Sequence, residues 1–186
     1  LGIATRMKVK IAKSPNAVGV SVVHFEDVIE GLKTVPFMLS HAPFAVELMD
    51  DHVMAMGKQS PAMRGKLDWL DGNPEGLLVV EFDGESEAEV ADKIETFEAA
   101  CRKDKVGYSQ VRMTAKTDIA NVWQLRKAGL GLLLARRSDE KAIAFLEDSA
   151  VPPEKGGEFM GELGEYIRKI GKEAGFYGYA GVGLIH

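Results

Sequence analysis

A chain of 186 residues with 46% apolar and 27% charged positions has enough apolar material for one core, or for one domain and a stub of another. Its net charge of −5, with no basic patch interleaved with aromatics, argues against a nucleic-acid partner, because phosphate binding relies on Lys and Arg. Cys101 is the sole cysteine, which excludes an intrachain disulfide and a cysteine-ligated iron–sulfur cluster held by this chain.

In chain order, "RMKVKIA" at 6–12 alternates charged and apolar residues and predicts a half-buried strand. "SPNA" at 14–17 breaks it, and the β-branched "VGVSVVHF" at 18–25 predicts a second strand. Val28, Leu32, Val35 and Leu39 follow at helical spacing, with Pro36 expected to kink or end the helix. "FAVELMD" at 44–50 is strand-like and leads into a mixed helix and loop. "GLLVVEFDG" at 76–84 is an apolar strand closed by glycine. Ser86 and Glu89 then form a capping-box pattern before a helix to about Lys105, with Val90, Ile94, Phe97 and Cys101 on its apolar stripe. A core position is the expectation for that thiol. "GYSQVRM" at 107–113 predicts a strand, 118–135 a helix, and "KAIAFLED" at 141–148 a strand. The stretch 151–175 predicts a proline-opened helix closed by Gly175, with Phe159, Leu163, Ile167 and Ile170 on one side. "FYGYAGVGLIH" ends the chain.

Compact β-α-β units of this kind are compatible with an α+β sandwich, a mainly antiparallel sheet with helices on one face. A doubly wound parallel sheet is the alternative. No apolar run nears the roughly 20 residues that span a bilayer, and "LGIATRMKVK" lacks the apolar region of a signal peptide. A reduced, cytoplasmic setting is the default expectation, and a first residue other than Met suggests an excised piece.

Few residues announce chemistry individually. Gly178, Gly181 and Gly183 form either a glycine-rich turn or a phosphate cradle; a dinucleotide fingerprint would open a helix, and here only three residues follow. His24, His41, His52 and His186 sit in no metal-binding spacing. Arg126 lies among apolar neighbours, where an arginine either snorkels to solvent or holds a carboxylate. In "EDSAVPP", Glu147 and Asp148 precede a rigid turn and are compatible with a helix start favoured by acidic residues.

Their order is more informative. "FLEDSAVPPEKGGEFM", "YIRKIGKEAGFYGYAGVGLIH", "FAVELMDD", "VWQLRKAGLGLL" and "LGIATRMKVKI" together resemble the C-terminal, substrate-side cap domain of FAD-linked oxidases of the glycolate oxidase and D-lactate dehydrogenase family. The resemblance implies a ferredoxin-like fold. It also implies a boundary, with 1–15 ending an FAD-binding domain and 16–186 forming a cap domain truncated at its C-terminus. The implied activity is oxidation of a small 2-hydroxy acid by hydride transfer to a flavin bound mainly by the upstream domain. Arg126 matches the arginine that clamps the substrate carboxylate, and Tyr179 and His186 occupy the places of two metal-binding histidines.

Here the sequence departs from the pattern, with Tyr179 for the first histidine, Val182 for an aspartate and Leu184 for an asparagine. A neutral phenol is a poor divalent-metal ligand, so no metal is expected. The resemblance thus assigns Arg126 and Tyr179 to substrate binding and His186 to catalysis, leaving cofactor contacts within this chain unassigned. An iron–sulfur cluster could lie only outside it. The competing reading is a non-catalytic α+β binding or assembly module in an electron-transfer complex. Positions 179 and 186 differ by an odd number, so a straight strand would aim Tyr179 and His186 at opposite faces, and Gly181 and Gly183 are the residues able to bend them together.

Overall fold

The computed structural model describes residues 2–11, 13–135, 139, 141–144 and 146–186. Its strands are β1 (Ala17–Phe25), β2 (Ala45–Asp50), β3 (Gly76–Gly84), β4 (Ser109–Met113), β5 (Ser149–Ala150), β6 (Tyr177–Tyr179) and β7 (Leu184–Ile185). Its helices are α1 (Val28–Lys33), α2 (Val35–Leu39), α3 (Asp51–Gln59), α4 (Glu87–Asp104), α5 (Lys116–Leu134) and α6 (Gly156–Lys169). The strands form one sheet in the order β4-β1-β3-β2-β6-β7-β5, and the described pairings are antiparallel. This is an α+β architecture with a mainly antiparallel sheet, consistent with a ferredoxin-like sandwich.

Strand alternation divides the core. Val23, Phe25, Val46, Leu48, Leu78, Val80 and Phe82 face the helical layer made by α1, α2, α4 and α6, where Phe82 meets Phe97 with ring centroids 5.4 Å apart. Each fully buried side chain of this size stabilises the fold by about 1.5–3 kcal/mol. Val20, Val22, Met49, Leu77 and Val79 point the other way and join Val53, Val122 and Leu125 of α3 and α5 in a second cluster. Cys101 belongs to the first cluster as expected, and burial pushes its thiol up to about 12.

Several local expectations are corrected. Residues 6–11 form no strand and are exposed, because period-2 alternation makes a strand only where a neighbouring strand supplies the ladder; Ala12 lies outside the described residues. The helix expected after residue 26 divides at Thr34, and Pro36 stands in the first turn of α2 rather than ending a helix. Proline suits that turn because its missing N–H has no helical partner there. Residues 141–144 and 146–148 are not a strand; the chain pairs only at β5, and Phe145 lies outside the described residues. Helix α6 ends at Lys169, short of Gly175. Gly171 takes φ 70°, while the amides of Gly171 and Lys172 donate to Arg168 and Ile167 at 3.0 and 3.1 Å, closing the helix in a Schellman motif.

Candidate functional site

Glu47 lies on β2 between Val46 and Leu48, so strand alternation turns it to the opposite face, toward α5. There Arg126 Nε donates to Glu47 Oε2 at 2.8 Å, and both side chains are nearly buried, at 12% and 8% exposure. Arg126 therefore holds a carboxylate from its own chain. Burial pushes the Glu47 carboxyl above its ordinary value, while the guanidinium and, more weakly, His186 oppose that shift. The guanidinium carbon lies 4.7 Å from the Tyr177 ring centroid and 5.2 Å from that of Tyr179, in cation–π range. Next to it on the helix, Trp123 Nε1 donates to Glu81 Oε2 at 3.1 Å.

The terminal glycine-rich segment places the remaining parts. Strands β6 and β7 are joined by a short 3-10 turn at Ala180–Val182, with Gly183 at φ 72°. The reversal sets Tyr177 opposite His186, whose backbones exchange hydrogen bonds of 3.2 and 2.8 Å. Their rings stack at 5.2 Å, and Tyr179 meets His186 edge-on at 6.0 Å. The odd spacing of 179 and 186 is thus overcome by a hairpin closed through a left-handed glycine, and Arg126, Tyr179 and His186 come to one cluster.

Glu147 completes it. Its Oε2 lies 2.8 Å from His186 Nδ1. The Asp148 amide is also 3.3 Å from that nitrogen, but one ring nitrogen cannot donate and accept at once. The shorter, charge-assisted contact decides the assignment: Nδ1 carries a proton that it donates to Glu147. Glu147 thus reaches across to the imidazole. It does not start a helix, since α6 begins only at Gly156. Asp148 adopts φ 55° beside it, a left-handed conformation uncommon for a residue with a side chain.

The fits to a cofactor and to a metal differ from the fit to an acid. A Cβ on Gly183 would stand 1.7 Å from Val151 O, and one on Gly178 2.2 Å from Leu184 O. These glycines admit protein backbone, so the segment is a turn and does not fit dinucleotide phosphates. Tyr179, 47% exposed and a neutral phenol, is a poor second donor beside His186 for a divalent ion. Among the described residues the three-donor cluster is Asp50, Asp51 and His52. Asp50 there accepts the Val53 and Phe176 amides at 3.0 and 2.6 Å, so its carboxylate is occupied by backbone. What the Arg126 cluster offers chemically is a guanidinium for an anion, beside an imidazole oriented through Nδ1 by Glu147.

Glu47, Tyr177 and the role of Glu147 are not identified by the sequence reading. The available signal is two opposite charges, Glu47 and Arg126, each set inside an apolar run, since such charges are buried only when paired.

The chain is similar to the D-2-hydroxyglutarate dehydrogenase of Pseudomonas putida, 23% identical across 100% of this chain and 19% of that protein. The Escherichia coli protein of the same name is likewise 23% identical, over 100% of this chain and 19% of the relative. The D-lactate dehydrogenase of Anaerostipes hadrus is 28% identical over 100% of this chain and 39% of its own length. The chain therefore spans well under half of each of these relatives. Residues 14–186 match the family described as FAD linked oxidases, C-terminal domain, and the chain belongs to that family.

Proposed function

We propose that this chain is the substrate-side domain of an FAD-dependent oxidoreductase that converts a small 2-hydroxy acid to the 2-oxo acid. The observation that carries this reading is the convergence of Arg126, Tyr179 and the Glu147–His186 pair on one face of the sheet. The relatives' names support the same substrate class. FAD, bound mainly outside this chain, supplies the acceptor for the hydride that leaves C2.

The chain's own residues do the rest. Arg126 uses Nε for Glu47, and its terminal N–H groups extend toward a substrate carboxylate, a charge-assisted contact worth about 1.5–3 kcal/mol. The Tyr179 hydroxyl donates to the bound acid. His186 Nε2 takes the hydroxyl proton as the C2 hydride departs, and Glu147 holds the ring in the required tautomer and stabilises the imidazolium that forms. The domain boundary near residue 15 belongs to this proposal, as do a cytoplasmic setting and an electron-transfer partner. The family match beginning at residue 14 supports the boundary; among the described residues no helix is long and apolar enough to cross a membrane.

A second reading, a non-catalytic anion-binding or assembly module, draws on the bond by which Glu47 already occupies Arg126. The full-length, flavin-loaded protein separates the two with D-lactate, glycolate and D-2-hydroxyglutarate and a dye acceptor. Turnover with at least one acid, a raised KM in Arg126→Lys and a lowered kcat in His186→Gln are expected. Absence of turnover with all three, in protein whose flavin a dithionite titration reduces, would favour the module.

A further inference from the structure

Glu81 is a carboxyl on the same face of the sheet that the proposed chemistry leaves without a role. In the ladder of β2 and β3, Ala45 pairs with Glu81 and Glu47 with Val79, so Glu47 and Glu81 are diagonal neighbours on one face. Residues so related lie about 7–8 Å apart, within reach of long side chains. One turn of α5 serves both. Trp123 Nε1 donates to Glu81 Oε2 at 3.1 Å, and Arg126 Nε donates to Glu47 Oε2 at 2.8 Å.

The two carboxyls differ in what they hold. Glu47 has the guanidinium, whereas half-buried Glu81 has a neutral indole, and among the described residues no cation pairs with it. Val20 of β1 and Ala45 of β2 stand opposite it, and both are apolar. The charges that reach it are those of Asp83, two residues on along β3, and Glu47, both negative. The Glu147–His186 pair, Tyr177 and Tyr179 stand beyond β2, on the other side of Arg126. Burial, the largest influence, raises the Glu81 carboxyl above its ordinary value; the indole N–H opposes this, and Asp83 and Glu47 add to it. A carboxyl with no cation beside it gains a proton more readily than one in an ion pair.

A substrate carboxylate at Arg126 would bring a third negative charge to a guanidinium that Glu47 already engages. Like charges in a partly desolvated site raise one another's affinity for protons. Resting on the reading that Arg126 receives the acid, we infer that the acid binds together with a proton and that Glu81 takes it. Glu81 is then a positioning residue, acting through the charge balance at Arg126. The complex holds more protons than the free protein, so affinity falls as pH rises, by at most about tenfold per pH unit for one proton.

The test is calorimetric titration of the full-length, flavin-loaded protein with 2-oxobutanoate, a product-type acid that stays ionised from pH 6 to 8. Each protein also carries His186→Gln, so that the imidazole contributes no proton. Titration in two buffers of different ionisation enthalpy counts the protons taken up. Uptake of up to about one proton per acid is expected, with affinity falling about three- to tenfold per pH unit. Glu81→Gln, which keeps an acceptor for Trp123, should abolish the uptake and flatten the profile. Trp123→Phe removes the bond that favours the ionised form, so it should move the uptake to higher pH; this variant serves if Glu81→Gln fails to fold. A flat profile without uptake, or uptake that neither variant alters, overturns the role of Glu81 while Arg126→Lys still weakens binding. Absence of binding, or binding that Arg126→Lys leaves unchanged, overturns the head-group reading, and the proton coupling falls with it.

Discussion

At the scale of single residues, the Arg126–Glu47 pair links stability to the proposed chemistry. Both side chains are nearly buried, so removing one strands the other without water or counter-charge. Glu47→Ala is expected to cost about 3–5 kcal/mol in urea denaturation, and the double change Glu47→Leu with Arg126→Met to recover most of it. Equal loss in the single and double variants would show that packing, not charge, sets the cost. His52 gives a pH signature. Its hydrogen bond with Asp50, then the charges of Asp50 and Asp51, raise it from 6.5 to about 9 against the effect of burial. A folded value above the unfolded one means a contribution complete below about pH 6.5 and lost as pH rises through about 9. The unfolding midpoint should fall across that window, and His52→Gln should lessen the fall. His24 acts in the opposite sense. Burial lowers it, and as a neutral ring it donates from Nδ1 to Val22 O at 3.1 Å and accepts the Asp71 amide at Nε2 at 3.3 Å. Its contribution is present above about pH 6.5 and is lost as the pH falls.

At the scale of elements, legibility followed locality. Ser86 caps α4 by accepting the Glu89 amide at 3.2 Å, and Glu89 reaches back to the Glu85 amide at 3.0 Å, one residue earlier than the standard capping box. Ser86→Ala should cost about 1 kcal/mol by thermal or chemical denaturation. Strand β3 was equally readable, because both faces of its first half are covered and residues 76–80 form an unbroken apolar run. The hairpin of β6 and β7 was readable only as a glycine-rich turn. What those glycines serve is the approach of the Val151 and Leu184 carbonyls, a contact between segments distant or reversed in the chain. Gly183→Ala combines a left-handed φ, costing about 1–2 kcal/mol, with a clash against backbone. It should lower the melting temperature and weaken acid binding together, since the same turn brings Tyr179 to His186. Retained binding in a destabilised variant would separate the turn from the site.

At the scale of the whole molecule, β1 and β3 lie between other strands and between two apolar clusters, whereas β5, β6 and β7 are short. Amide exchange should be slowest in Val20–Val23 and Leu77–Val80, and fastest in residues 2–11, which are exposed and in no strand. Fast exchange in β1 would contradict the central place given to it. The sequence by itself determined the α+β class, most element positions, the buried thiol and the family resemblance. Each of these rests on propensity, periodicity or motif order, which act within a few turns of chain. It also named Arg126, Tyr179 and His186, but only through that resemblance. The tertiary structure decided that residues 6–11 stay unpaired, that the helix after β1 divides at Thr34, and that Glu47 and Glu147 complete the cluster. Those outcomes depend on which strand supplies a ladder and which carboxylate meets a buried cation, and such partners lie far apart in the chain, Glu47 and Arg126 by 79 residues.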